Sequence, residues 1–221
     1  MARKGVVVEF DFAALDGARL LFETTRSLLR ELDGIALDVV TEAKYLSGRD
    51  CQAGLASLFS VVRTKKTALK AARDLTEAFA AVVTREAASA LTVAFKNFVK
   101  ALTDRGVKVV LVTRADIEAV RPAFEAALGK NVVLFQEISA VYGAARASTW
   151  RRACREGGVS YLSSLAVTGS GAGVRSALVA GMGSMGVVHD HVAYQDFGGA
   201  DAVVSELSGP TAKKALEILR I

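Results

Sequence analysis

Two carboxylates, two residues apart, are the groups in this sequence best placed to do chemistry. Glu9 and Asp11 follow three valines at positions 6–8. Side chains two positions apart at the end of a strand lie on one face of the sheet. Such a pair could work as an acid and a base or could bind a cation. It could equally cap nearby helices or pair with a lysine or arginine, and the residues alone leave both interpretations open.

A threonine and an arginine end a second apolar run. Thr113 and Arg114 follow the valine-rich run at 107–112. The Thr113 hydroxyl and the backbone amides after it could bind a phosphate group, with Arg114 adding positive charge at the same place. The alternative is structural, since Thr113 and Asp116 could simply help to start the next helix.

A glycine-rich turn follows a third apolar run. Thr168, Gly169 and Ser170 stand directly after residues 165–167, and glycines recur at positions 171 and 173. Free amides at the start of a helix could hold an anion here, and Asp190 follows about 20 residues on, as in dinucleotide-binding turns. That fingerprint usually opens the first strand–helix unit, whereas this turn lies late in the chain. Nucleotide binding is one interpretation, and small residues filling tight space is the other.

The histidine, serine and cysteine residues give weaker evidence for a functional site. His189 and His191 would face one way in a strand, but zinc usually needs three or four protein ligands and the sequence suggests no third. The serines near Met182 form no Gly-x-Ser-x-Gly motif, so a serine hydrolase is not supported. Cys51 and Cys154 are far apart and in no paired motif, which predicts reduced thiols and a cytoplasmic protein.

The scaffold that positions these residues alternates between strands and helices. Apolar runs predict strands at 6–8, 107–112, 132–135, 165–167, 187–188 and 202–204. Helical spacing predicts four helices between about 20 and 89, and later helices at 91–102, 149–156, 173–180 and 211–219. A further helix begins near Asp116, with Pro122 expected in its first turn because proline breaks a later one.

This alternation predicts an α/β fold, a Rossmann-like parallel sheet with an inserted helical bundle. We place the core at residues 1–16 plus 89–221 and a helical cap at 17–88. Ligands of such sheets bind beyond the carboxyl ends of the strands. That is where Glu9, Thr113 and Thr168 stand in the predicted elements.

The composition excludes several classes of protein. Of 221 residues, 52% are hydrophobic and 23% are charged, so the chain can bury a core and is not disordered. Basic residues cluster at 63–73 and 146–155, but with a single tryptophan the chain lacks the stacking side chains of many nucleic-acid surfaces. The uncharged stretch between Glu156 and Arg175 is rich in Gly and Ser, and the first apolar run is short. We therefore expect neither a membrane span nor a signal peptide.

The order of these motifs resembles that of the haloacid dehalogenase superfamily, in particular its phosphatase and β-phosphoglucomutase-like branch with a helical cap. The family's first strand ends in Asp-x-Asp, and Glu9-Phe10-Asp11 stands in its place. Its second strand ends in Ser or Thr, which Thr113 matches. Its fourth motif, a strand with an acidic pair and a helix ending in Ala-Gly-Met, is matched over 165–182 without the acidic pair.

The resemblance implies roles for the residues that are kept. It places Glu9 at the position of the family's nucleophile and Asp11 at that of its general acid/base. Thr113 falls on the phosphate-binding position, with Arg114 beside it. The extra methylene of Glu9 shifts its carboxylate by about an ångström, and in-line attack tolerates little misplacement.

The resemblance also indicates which catalytic residues of the family this sequence lacks. The family's lysine falls on Ala144, with Arg146 two residues on, and its magnesium-binding carboxylates fall on Thr168 and Gly169. Phosphoryl transfer depends on positioning and charge neutralisation. Losing the lysine and the metal ligands together therefore predicts a large loss of rate.

We predict a protein of this fold that has lost most or all magnesium-dependent phosphoryl transfer and acts as a ligand- or partner-binding pseudoenzyme. Its expected partner is a small anionic ligand or another protein, with no nucleic acid, no membrane and no cofactor. One alternative is an active but altered hydrolase that uses Glu9 and Asp11, both of which would then hold magnesium. A second is a nucleotide-binding module built on the turn at 169–173.

Overall fold

The computed structural model describes residues 3–62, 64–137 and 142–221. Arg63 of the first basic cluster therefore lies outside the described residues. Within them, six parallel strands form one sheet in the order β3-β2-β1-β4-β5-β6. The strands are β1 (Gly5–Glu9), β2 (Lys108–Thr113), β3 (Val133–Gln136), β4 (Ser164–Thr168), β5 (Gly183–Val187) and β6 (Ala202–Val204). The predicted α/β class and the parallel sheet are confirmed.

Ten α-helices accompany the sheet in the described part of the chain. The first five are α1 (Phe10–Ala13), α2 (Gly17–Asp33), α3 (Val39–Tyr45), α4 (Cys51–Phe59) and α5 (Ala68–Glu86). The others are α6 (Val93–Thr103), α7 (Ile117–Leu128), α8 (Ala147–Glu156), α9 (Gly171–Ala180) and α10 (Gly209–Ile218). Short 3₁₀ turns lie at Ala87–Ala90, Tyr161–Ser163 and Asp190–Val192.

The central strand is buried on both faces, as a parallel sheet covered by helices requires. Val6 and Val8 join the apolar cluster that extends to α5, α6 and α10, whereas Val7 joins the cluster around Trp150 of α8. The alternation follows from the two-residue repeat of a strand. It leaves the carboxyl end of β1 fixed between its neighbours β2 and β4.

Helices α2 to α5 lie between β1 and β2 in the chain, and we call them the helical insert. Each begins at a side chain that accepts a backbone N–H from the first turn: Asp16, Asp38, Asp50 and Thr67. Such caps stabilise helix starts. The four helices agree with the sequence analysis, while a separate cap domain with boundaries at 17 and 88 stays a prediction.

Three local expectations are wrong. The fifth strand is Gly183–Val187 rather than 187–188. Pro122 is the sixth residue of α7, and it is tolerated there because it is exposed, so water can reach the carbonyl that loses its helical partner. His189 precedes the turn Asp190–Val192 that contains His191, so the two histidines do not alternate along a strand.

No single described helix is both long and apolar enough to span a membrane. One bent pair, Ala68–Ala90 with Val93–Thr103, meets the length and composition criteria only when its parts are joined across an 81° bend.

Candidate functional site

Three adjacent strand ends bring most of the predicted site residues together. Glu9 is the last residue of β1, Thr113 the last of β2 and Thr168 the last of β4. Asp11 follows in the short helix α1, not in the strand. All four side chains are fully buried. The carboxyl edge of the sheet therefore holds two carboxylates and two hydroxyls in its interior.

Asp11 is held by three donors from the β2 end. The Thr113 hydroxyl donates to Asp11 Oδ1 at 2.6 Å. Oδ2 accepts from the Arg114 backbone N–H at 2.7 Å and from Arg114 Nη1 at 3.2 Å. Because the Thr113 hydroxyl also accepts the Ala115 N–H, the predicted phosphate-binding hydroxyl is already engaged within the protein.

Glu9 also contacts groups on two sides, but only one of its two carboxylate oxygens accepts a hydrogen bond from the described residues. The Thr168 hydroxyl donates to Glu9 Oε2 at 2.6 Å. Glu9 Oε1 lies 3.5 Å from Arg114 Nη2 and accepts no hydrogen bond from the described residues. Thr168 thus occupies one of the positions where the resemblance places a metal-binding carboxylate, and it supplies a donor instead of a negative charge.

Arg114 is the centre of this arrangement, and its side chain is only 8% exposed. Its guanidinium contacts both carboxylates and lies over the Phe12 ring, 4.8 Å from the ring centroid. Nη2 also donates to the Ala144 carbonyl at 3.2 Å. The cation therefore reaches the position where the resemblance places a lysine, but it comes from the end of β2. We call Glu9, Asp11, Thr113, Arg114 and Thr168 the Arg114 cluster.

Burial sets the protonation of the Arg114 cluster. It raises the pKa of Glu9 from 4.5 to about 7, against the lowering effect of Arg114 and of the Thr168 hydrogen bond. Burial also raises the pKa of Asp11, opposed by Arg114 and the Thr113 hydrogen bond. Near neutral pH, Glu9 thus carries a proton part of the time, and Arg114 balances the charge of Asp11. This leaves the cluster close to electrical neutrality.

The donor set does not fit magnesium. Magnesium requires six oxygen ligands in near-octahedral geometry, usually with one or two carboxylates. Three of the four carboxylate oxygens of Glu9 and Asp11 accept hydrogen bonds, and the fourth faces the guanidinium. The described residues contain no group of three acidic, histidine or cysteine side chains that could hold a metal ion. A divalent cation would have to displace Arg114.

The glycine-rich turn is closely packed. Ser170 is the N-cap of α9 and accepts the Gly173 N–H, while the Gly171 N–H donates to the Gln195 side chain. A Cβ at Gly169 would lie 1.7 Å from the Phe12 carbonyl oxygen. The small residues are explained by packing, and the amides of Gly171 and Gly173 already donate to side chains of the protein.

Arg146, two positions beyond the lost lysine, lies elsewhere. It pairs with Asp50 of the helical insert at 2.6 Å, and both side chains are about half exposed. Because its partner is the N-cap of α4, Arg146 joins the core to the insert and is not part of the Arg114 cluster.

The sequence analysis missed a second buried polar group between insert and core. Glu42 of α3 accepts from the Tyr142 hydroxyl at 2.9 Å and contacts His191 Nε2 at 3.0 Å. From the sequence, His191 is predicted only as a possible partner of His189 in a metal site. The separations of 100 and 149 residues explain why no local pattern connects the three.

The structure has close neighbours among solved proteins, although no sequence-family model and no curated protein sequence matches the chain. CbbY from Rhodobacter sphaeroides in complex with phosphate superposes with a TM-score of 0.66 at 15% identity, over 94% of this chain and 95% of that one. β-Phosphoglucomutase from Clostridium difficile gives 0.68 at 13% identity, over 99% and 100%. A HAD hydrolase of family IA, variant 3, from Entamoeba histolytica gives 0.68 at 15%, over 99% and 100%. At these identities the similarity establishes the fold.

Proposed function

We propose that this chain, which has the fold of haloacid dehalogenase hydrolases, has lost phosphoryl transfer and works as a binding protein. The observation that carries the proposal is the position of the Arg114 guanidinium between Glu9 and Asp11. An internal cation there contacts both of the carboxylates that the family's chemistry would need to be free. Binding of a small anionic ligand then has to take place outside the Arg114 cluster.

The alternative of an altered hydrolase needs a free nucleophile and a bound substrate. A carboxylate that attacks phosphorus must be ionised and must lie in line with the leaving group. Burial raises the pKa of Glu9 to about 7, and its Oε2 accepts the Thr168 hydroxyl. A phosphate group would also find the Thr113 hydroxyl and the Arg114 side chain already bound to Asp11. These contacts favour the non-catalytic interpretation.

Incubation of the purified protein with p-nitrophenyl phosphate and magnesium is expected to give no turnover above a heat-inactivated sample. Calorimetric titration with magnesium chloride is expected to show no binding, because Arg114 fills the place of the cation. The matched comparison is Glu9→Gln, which keeps the shape of the side chain. Turnover that Glu9→Gln abolishes would establish the altered hydrolase and end the proposal.

The helical insert offers a better place for an anion. A groove of about 610 Å³ is lined by apolar residues and by Arg26 and Arg30, one turn apart on α2. Neither guanidinium forms an ion pair within the described residues, whereas the carboxylate of Asp38, which also lines the groove, accepts the Thr41 N–H. The volume is in the range of small-molecule sites. A ligand with an apolar body and one negative group would fill the groove and meet both arginines.

Octanoate is a simple probe of this groove. Replacing both arginines by glutamate (Arg26→Glu with Arg30→Glu) is expected to weaken octanoate binding by at least about tenfold, as lost charge pairing predicts. Calorimetry or fluorescence competition measures the affinity, and Arg105→Glu with Arg155→Glu, two exposed arginines outside the groove, serves as the control with the same net charge. Equal affinity in both variants would remove the groove from the proposal but leave the question of catalysis to the phosphatase assay.

A further inference from the structure

A buried ionisable pair joins the helical insert to the core at a place that the proposed function does not use. Glu42 lies on α3 of the insert, is 3% exposed, and accepts the hydroxyl of Tyr142. His191 lies in the turn after β5, and its Nε2 is 3.0 Å from Glu42 Oε2. The Tyr142 hydroxyl also lies 3.1 Å from the Thr25 hydroxyl of α2. Two insert helices thus meet two core segments through one polar network.

We propose that Glu42, Tyr142 and His191 form a pH-sensitive latch that holds the helical insert against the core. When His191 is protonated, it forms an ion pair with Glu42, beside the hydrogen bond from the Tyr142 hydroxyl to Glu42. When His191 is neutral, Glu42 accepts hydrogen bonds from two uncharged donors. Protonation of His191 adds a Coulombic attraction to the Glu42 carboxylate, which a neutral imidazole lacks and which burial strengthens. The insert is therefore held more firmly at acidic pH than at alkaline pH. The proposal does not depend on the loss of catalysis.

Other contacts across the same boundary surround the latch. The Tyr142 backbone N–H donates to the Arg49 carbonyl and its carbonyl accepts the Gly48 N–H, both from the segment between α3 and α4. The Gln195 side chain donates to the Ser47 hydroxyl. The space enclosed between these groups is about 10 Å³, room for about one water molecule. Opening this junction has to break the latch.

The charges that face His191 fix the sign of the pH dependence. Its hydrogen bond to Glu42 raises the pKa of His191 above 6.5, and Asp16, the N-cap of α2, and Glu23 within α2 act in the same direction, against the lowering effect of burial. Both of these carboxylates also pair with Arg19, which weakens their influence on the pKa of His191. The aromatic ring of Phe22 packs 5.0 Å from the imidazole. The stabilisation is therefore complete below pH 6.5 and is lost as the pH rises through the higher value in the folded protein.

A cysteine of the chain can report the separation of the helical insert from the core. Cys51, the first residue of α4, is 5% exposed, and its thiol lies close enough to Tyr142 to influence the tyrosine's pKa. Cys154 is 1% exposed and lies on α8 in the core. Alkylation of Cys51 in a Cys154→Ala background reports release of the insert. Alkylation of Cys154 in a Cys51→Ala background reports opening of the core.

The test compares His191→Gln with its parent by iodoacetamide labelling of Cys51 at about pH 6 and about pH 8.5. At each pH the labelling rate of the variant is divided by that of the parent. Because both proteins carry the same Cys51, the effect of pH on thiol ionisation cancels in this ratio. We expect His191→Gln to label about tenfold faster at the acidic pH and within about twofold at the alkaline pH, since glutamine keeps a neutral donor but cannot ionise. Tyr142→Phe should raise the rate by the same factor at both pH values, and His189→Gln should not change it.

Two results would overturn the latch. A ratio for His191→Gln that is the same at both pH values would mean that the charge of His191 does not hold the insert. Equal labelling rates for Cys51 and Cys154 in the parent would mean that the insert opens only when the whole chain unfolds. Faster labelling of Cys51 than of Cys154, with the pH-dependent ratio, supports the proposal.

Discussion

Replacing Arg114 by methionine (Arg114→Met) is expected to lower the free energy of unfolding by about 3–5 kcal/mol, the usual cost of removing one partner from a buried ion pair. In the parent, Nη1 lies 3.2 Å from Asp11 and Nη2 lies 3.5 Å from Glu9. Methionine fills a similar volume but leaves two buried carboxylates without a cation. Urea unfolding followed by circular dichroism at neutral pH measures the loss.

Two further variants separate charge from packing. Arg121→Met removes an arginine that is 45% exposed and pairs with Glu118, and it should cost less than about 1 kcal/mol. Combining Arg114→Met with Glu9→Gln and Asp11→Asn should recover most of the lost stability, because neutral amides need no cation. If that triple variant is as unstable as Arg114→Met alone, the loss comes from packing and the electrostatic explanation is wrong.

The sheet was predictable because its central strands carry a dense local signal. The run at 107–112 predicted β2, and the three valines at 6–8 predicted β1, each within about two residues. β5 was predicted at 187–188 instead of Gly183–Val187, because Gly183 and Gly186 have poor strand propensity. Gly186 is explained only by tertiary structure, since a Cβ there would lie 2.5 Å from the Phe197 ring. Such a requirement is set by a distant residue and leaves no periodic pattern.

The candidate site was predictable in its positions but not in its pairing. The strand-end rule brought Glu9, Thr113 and Thr168 to one edge of the sheet, as their contacts with one another and with Asp11 confirm. The sequence could suggest an arginine partner for the carboxylates but could not select Arg114 among the basic residues. That choice depends on a side chain turning inward over Phe12, and side-chain direction in a loop has no signature in the sequence.

Gly169 shows the same dependence on tertiary structure at the turn that resembles a nucleotide-binding motif. Its backbone passes so close to Phe12 that a Cβ would lie 1.7 Å from the carbonyl oxygen and 2.5 Å from the carbonyl carbon. Both atoms belong to the backbone of α1, which also carries Asp11. No rotamer change can relieve such an overlap, so α1 or the β4–α9 turn would have to move.

Gly169→Ala is therefore expected to destabilise the protein by at least about 4 kcal/mol, beyond the usual range for overpacking by one methyl group. Thermal and urea unfolding measure the loss. Gly209→Ala is the matched control, because a Cβ at the start of α10 has no neighbour within 4 Å and the backbone φ is not positive; it should be neutral or slightly stabilising. A Gly169→Ala protein as stable as Gly209→Ala would mean that packing does not require this glycine. The nucleotide-binding interpretation of the turn would then regain its main support.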